Sequence, residues 1–492
     1  MSQPATDLRT KTLHSLIWQF MGVGGQQVMT LISMRIISRT IDKPDVGLFA
    51  ILVAGIGMVE ALTVFAGEQS TIASPRGADR RYLDTVFTVR LLRGVVVAGL
   101  LCALAPALAW YFHDNETEDR YWLTGLFLAM SPNVFFDGLQ SPARAARLKS
   151  MAFRRVVLCD FVAFLVGMIV TITLVLTQKD VWALLIGYVT TTALRTALSY
   201  VAAPHLPRFV LDKEALRDLF EYSKGATGSP FLLFVTFAAS PFILGRLSKE
   251  IVAIFEYAGK LARLPETIFL RVLGPVAVPA YAQLRDNVPQ LARAWLGAMQ
   301  AFLLVGGPLT VGMSWCGGAL PAFAFENSYG EIDSLFVLQC VYGGLAGLTS
   351  VVGPLFWAIG QPHRDRRAQF ARCIVVYALG IPFALTWGAV GFAVASCVSI
   401  FVALFWCIVQ ARQILGLTFG DVFSAMRPGA IVAGSLAAAL FVVDLVAAPT
   451  GPARLIASAA LSGPLLGFIV LRMLRKRGPT PSPNLPSVDA AS

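Results

Sequence analysis

The chain has 492 residues, 56% hydrophobic and 14% charged, with a mean hydropathy of +0.68 and a formal charge of +11. Those proportions exclude an ordinary soluble domain and imply an all-α polytopic membrane protein, because a helix needs roughly 20 apolar residues to cross about 30 Å of hydrocarbon. The basic excess does not imply a nucleic-acid partner, since Lys and Arg are dispersed among short loops without an aromatic-basic platform.

Fourteen apolar runs follow in order, at 14 to 38, 46 to 72, 86 to 112, 121 to 141, 156 to 177, 181 to 204, 225 to 245, 251 to 284, 291 to 325, 332 to 359, 370 to 386, 388 to 410, 429 to 449 and 452 to 473. Most of the 40 Lys and Arg lie in the termini and loops on one side, so the positive-inside rule puts both termini in the cytoplasm. Arg9 and Lys11 precede the first run as in a signal peptide, but its length and glutamines favour a retained span.

Charges inside spans are expensive and mark function by default. Span 1 carries Gln19, Gln26 and Gln27 among glycines, a polar face for cavity lining or close packing, and Arg35 near its outer end. Arg35 reads either as a substrate contact or as a side chain snorkelling to the interface. Glu60, near the middle of span 2, is either a structural partner for a basic group or a site for a coupling proton or sodium ion. Glu68, Arg90, Arg93, Asp137 and Asp160 fall near the cytoplasmic ends of spans 2 to 5, where they form a gating latch or ordinary interfacial pairs. Arg195 in span 6 is placed to neutralise one of these acids. A charged, partly amphipathic linker, 205 to 224, reads as a helix on the cytoplasmic surface.

Span 8 is the richest in charge. At about 100° per residue, Glu256, Lys260, Arg263 and Arg271 share one stripe, with Glu266 to its side. A basic stripe facing a cavity suits a diphosphate, yet Glu256 also stands four residues before Lys260 in the order that favours an intrahelical ion pair. Pro265 lacks an amide hydrogen and predicts a bend there. Further on, Arg364, Arg366, Arg367 and Arg372 read as a basic cytoplasmic loop, and the 476 to 492 tail, rich in Pro and Ser, as disordered. The seven cysteines lie in or beside apolar runs without CxxC spacing, and the four histidines are scattered, so no metal site is implied.

An ungapped offset of 206 residues aligns Ile41 to Phe49 with Leu247 to Phe255 and Val210 to Phe220 with Gly416 to Met426. The matches describe a duplication of six spans: lobes 1 to 204 and 225 to 410, with 411 to 475 (spans 13 and 14) added outside. Six is even, so the lobes share one orientation and are related by an axis along the membrane normal, which suits alternating access through a cavity between them.

Arg39 to Phe49 (RTIDKPDVGLF), Gly67 to Phe87 (GEQSTIASPRGADRRYLDTVF), Phe255 to Asp286 and Thr386 to Ser396 (TWGAVGFAVAS) are similar to the Wzx-type polysaccharide transporter family of the multidrug/oligosaccharidyl-lipid/polysaccharide flippase superfamily. The resemblance implies a MATE-like fold in the bacterial inner membrane, exporting an undecaprenyl-diphosphate-linked oligosaccharide for exopolysaccharide, capsule or O-antigen, beside a polymerase or export machinery. Arg90, Arg93 and Arg271 depart from the apolar residues expected there. No GxxxxGK[ST] loop is present, so no ATP-driven pump is expected and no cofactor is implied. Alternatives within the fold are a multidrug antiporter, which calls for an acidic cavity, and a peptidoglycan-precursor flippase. A pathway polymerase calls for a large external catalytic loop where here the loops are short, and a scaffold for the assembly complex needs no cavity charge.

Overall fold

The structure is a computed structural model that describes residues 5–63, 67–74, 76–113, 119–150, 153–226, 228–264, 266–267, 277, 280–325, 332–447 and 451–475. Among these the chain is helical without strands, as lipid requires of a backbone that must satisfy its own hydrogen bonds. Arg271, Pro265 and the 476 to 492 tail lie outside the described residues.

The first half consists of α1 (Ala5–Thr40), α2 (Lys43–Leu62), α3 (Gly67–Ala73), α4 (Arg80–Phe112), α5 (Arg120–Ala129), α6 (Ser131–Gly138), α7 (Ala143–Lys149), α8 (Phe153–Gln178) and α9 (Val181–Ala202). After α10 (Lys213–Ala226) come α11 (Gly228–Leu247), α12 (Lys249–Ala262), α13 (Val288–Cys316), α14 (Ala319–Phe325), α15 (Ile332–Val352), α16 (Pro354–Ala358), α17 (Pro362–Leu415), α18 (Phe419–Ala447) and α19 (Pro452–Arg475).

Nine of the described helices are long and apolar enough to cross a membrane, against fourteen expected. The difference has local causes. Span 4 is broken between α5 and α6, just before Pro132, and α12 of span 8 stops at Ala262. Span 9 is among the nine, as α13, and ends at Gly317, whose φ of 46° is a left-handed conformation that suits glycine. Spans 11 and 12 are joined as α17, which reverses at Gly388 (φ 59°, ψ −138°) and folds back so closely that Gly380 packs on Phe392. The linker differs from a plain surface helix: residues 203–212 run extended along the start of α4 before α10 begins.

The halves pack alike internally. Helix α1 lies on α8 and α4 on α6, as α11 lies on α17 and α13 on α15, while α18 and α19 cover α13. They meet where α2 crosses α11 and α12. A Cβ on Gly47 would stand 1.8 Å from the Lys249 carbonyl oxygen, and one on Gly57 2.3 Å from the Phe234 ring, so only glycine permits this approach. Lys43 and Glu250 add an ion pair of 2.9 Å across the same junction. Leu48, Ile51, Leu244, Val252 and Phe255 seal it in one continuous buried cluster.

Candidate functional site

Below that seal the halves diverge around a cavity of about 680 Å³, walled by α2, α6 and α9 on one side and by α11 and α12 on the other. A second cavity of about 430 Å³ lies between α1 and α12, lined by Gln27, Thr30, Leu31 and Met34, and shares Phe237, Lys260 and Arg263 with the first.

Lys260 lines both cavities and has no ion pair within 4 Å among the described residues. The intrahelical pair that its spacing from Glu256 suggests does not form, because Glu256 instead accepts a hydrogen bond from Ser240 at 3.3 Å. Arg263 caps α12 at the point where its backbone leaves helical geometry, bonding back to the Gly259 carbonyl at 3.2 Å. Its guanidinium lies 5.6 Å from the centre of the Tyr342 ring. Arg372, read from sequence as a loop residue, stands behind this wall: on α17 it is 3% exposed, donates to the Tyr342 hydroxyl and lies 5.5 Å from the Phe237 ring. Two arginines thus flank one tyrosine behind the exposed lysine. Glu266 lines the second cavity nearby.

The opposite wall mixes charged and neutral polar groups. It presents Glu60 from α2, Asn133 and Asp137 from α6, and Tyr188, Thr192 and Arg195 from α9. Thr192 donates to Asn133 at 2.5 Å, and the Tyr188 ring meets Phe49 edge-on at 5.8 Å. Glu60 has no ion pair within 4 Å among the described residues.

Charges at the foot of the first half form a chain of contacts. Asp137 accepts from Arg90 at 3.1 Å and from Gln140 at 2.8 Å, Arg144 reaches Gln140 at 3.4 Å, and Arg144 pairs with Asp160 at 2.9 Å. These bonds tie α4, α6, α7 and α8 together within one half rather than bridging the two. Glu68 is exposed on the rim of a small pocket of about 190 Å³ beside Arg90 and Arg93. Arg93 donates to the carbonyls of Thr63 at 2.6 Å and Glu60 at 3.2 Å, so it caps the end of α2.

Two further residues stand elsewhere. Arg35 donates to the Phe323 carbonyl and lies 5.3 Å from the Phe323 ring, joining α1 to α14 away from the lining of either cavity. Gln26 is half-buried on α1, while its neighbour Gln27 lines the second cavity. Asn133, Tyr188, Thr192 and Tyr342 carry no charge to distinguish them in an apolar run, and only the repeat, by predicting an interlobe cavity, pointed toward them.

Residues 36–332 match the family model for polysaccharide biosynthesis protein. The chain is 20% identical over 418 residues to the succinoglycan biosynthesis transport protein ExoT of Rhizobium meliloti (strain 1021), covering 85% of this chain and 81% of that protein. It is 20% identical over 358 residues to the lipopolysaccharide biosynthesis protein WzxC of Escherichia coli (strain K12), covering 71% and 70%. The lipid II flippase MurJ in an inward closed conformation has a TM-score of 0.70 at 14% identity, covering 93% of this chain and 99% of that one. An inward-facing multidrug resistance MATE transporter of the MOP superfamily has a TM-score of 0.58 at 16% identity, over 79% and 95%. At these identities the two solved structures speak for the fold, and the fold is MATE-like.

Proposed function

Because the chain belongs to the polysaccharide biosynthesis protein family, we propose that it is a flippase carrying a lipid-linked oligosaccharide across the bacterial inner membrane, with both termini cytoplasmic. ExoT is named a transport protein, MurJ a flippase and the MATE neighbour a transporter. The cargo is an undecaprenyl-diphosphate-linked oligosaccharide destined for a surface polysaccharide, handed on to a polymerase or export machinery.

The observation that carries the proposal is Lys260, without an ion pair within 4 Å among the described residues, beside Arg263 in a cavity between the halves. A diphosphate offers oxygens to the planar fork of Arg263 and to the mobile ammonium of Lys260, and each charge-assisted bond strengthens away from bulk water. The second cavity, sharing these two residues, gives the head group a way past α1 while the polyprenyl tail stays in lipid. With the termini inside, the seal at Gly47 and Lys249 faces outward, so this conformation awaits cargo from the cytoplasm. Glu60, which has no ion pair within 4 Å among the described residues although Arg93 and Arg90 act on it from further off, is the site at which a coupling proton or sodium ion acts.

Flipping of a fluorescent undecaprenyl-diphosphate saccharide in reconstituted vesicles tests the site. Lys260→Ala combined with Arg263→Ala is expected to reduce the rate by at least about tenfold, the loss of one to two charge-assisted bonds, with normal insertion and gel-filtration behaviour. Flipping at the wild-type rate by the double variant would remove both residues from the transport path.

A further inference from the structure

We infer that the cavity wall formed by α6 and α9 is a sugar subsite, in which Tyr188, Asn133 and Thr192 bind the sugar ring joined to the diphosphate. The inference rests on the reading of Lys260 and Arg263 as the diphosphate site and assigns the face opposite them.

The two faces differ in their neutral groups. Lys260 and Arg263 share α12 with Glu256, whereas α6 and α9 offer a phenol, an amide and a hydroxyl, with Asp137 and Arg195 about one turn further on, within the same 680 Å³ space. Such neutral groups add little to holding a diphosphate, but they match a pyranose, whose hydroxyls both donate and accept and whose C–H face is apolar. Tyr188 combines an aromatic body with a polar tip, and the Phe49 edge at 5.8 Å fixes its plane. Asn133 is 6% exposed and uses its carbonyl oxygen on the Thr192 hydroxyl at 2.5 Å, so what it has left to offer are N–H donors, one of which also serves the Tyr188 hydroxyl. Thr192 in turn keeps its lone pairs as acceptors. Donors, an acceptor and an aromatic face converging in one pocket are the usual makings of a selective site for a small polar ligand.

Asp137, on the same wall, is already engaged by Arg90 and Gln140, so the subsite does not rest on a cluster of acids. The cavity volume falls in the range of about 300–1,000 Å³ typical of sites for one small-molecule ligand, which limits the subsite to the reducing-end sugar rather than a polymer.

The test compares binding of bare undecaprenyl diphosphate with undecaprenyl diphosphate bearing one glucose, galactose or N-acetylglucosamine, using the full chain in nanodiscs. The wild type is expected to bind at least one sugar-bearing probe about three- to tenfold more tightly than the bare carrier, the effect of one or two neutral hydrogen bonds. Tyr188→Ala and Asn133→Ala are expected to erase that preference while leaving the bare carrier's affinity unchanged. Thr192→Val, close to isosteric, is expected to halve it or more and guards against misfolding of the larger truncations. The subsite is wrong if no probe is preferred by the wild type, if the variants keep the preference, or if they weaken bare and sugar-bearing lipids alike. Lys260→Ala with Arg263→Ala separates the two readings: undiminished binding of the bare carrier overturns the diphosphate site alone.

Discussion

Single residues in this membrane protein are decided by what their polar atoms touch. Arg93 stands where the resemblance calls for an apolar side chain, and the reason is the end of α2, where the Glu60 carbonyl takes the Thr63 amide at 3.1 Å and Arg93 adds bonds to it and to the Thr63 carbonyl. By donating to Thr63 and Glu60 it closes that end, with bonds of 2.6 and 3.2 Å. Replacing it by Met is expected to cost about 1.5–3 kcal/mol, the range for hydrogen bonds to a charged group. The thermal midpoint in detergent should fall clearly below that of wild type, with Arg93→Lys between the two; an unchanged midpoint for Met argues that water or lipid already serves those carbonyls. The sequence made Arg93 conspicuous but not intelligible, because a charge is visible in a string of letters and its acceptor is not. The same limit explains Arg372, whose neighbours Arg364 to Arg367 suggest a loop although its own position on α17 is buried. It explains Glu256 as well: intrahelical spacing favours Lys260, but Ser240 on α11 competes, and tertiary packing wins.

Elements were more legible than partners. Helices α2, α4, α8, α9 and α13 fall close to runs read from hydropathy alone, since length and apolarity are properties of the chain itself. Hidden instead was the strap between the halves. Asp84, at the start of α4, accepts from His205 at 2.8 Å and from the Arg208 amide at 3.1 Å, while Thr88 and Thr85 accept from the amides of Val210 and Asp212. Arg76 then grips α10 through Asp218 and Glu214 at 2.8 and 2.7 Å, and these two carboxylates, Asp218 foremost, hold its guanidinium above its ordinary pKa. None of these contacts has a local sequence signature, because each joins residues more than a hundred apart. Asp84→Ala removes the acceptor on which the strap turns, leaving His205 and Arg208 without it. Opening of 203–212 should become easier by about 1–3 kcal/mol, so tryptic cleavage after Arg208 is expected to accelerate about tenfold, provided that cleavage tracks the open population. Protection equal to wild type implies that the Arg76 clasp suffices to hold the strap.

At the scale of the whole molecule, the repeat and the seal are one feature. The segments aligned by the 206-residue offset, Ile41 to Phe49 and Leu247 to Phe255, are the ones that meet: Gly47 rests on the Lys249 carbonyl and Lys43 pairs with Glu250 at 2.9 Å. Equivalent segments of a two-lobed fold come together near its centre, although the sequence match by itself said nothing of that contact or its chemistry. Packed interfaces of this kind are bistable rather than elastic, so transport by rocking requires the junction to part as a unit. Lys43→Cys with Glu250→Cys, joined by a short bifunctional thiol reagent, is therefore expected to stop flipping, and a reducible linker to restore it on reduction. Gly47→Ala supplies the converse, since its methyl group cannot share space with the Lys249 carbonyl 1.8 Å away. The junction must then loosen, and cross-linking between positions 43 and 250 is expected to slow severalfold while access to the cavity from the opposite membrane face declines. Full flipping by the completely cross-linked protein would mean that the halves need not separate here, and that cargo passes by a route other than the cavity between them.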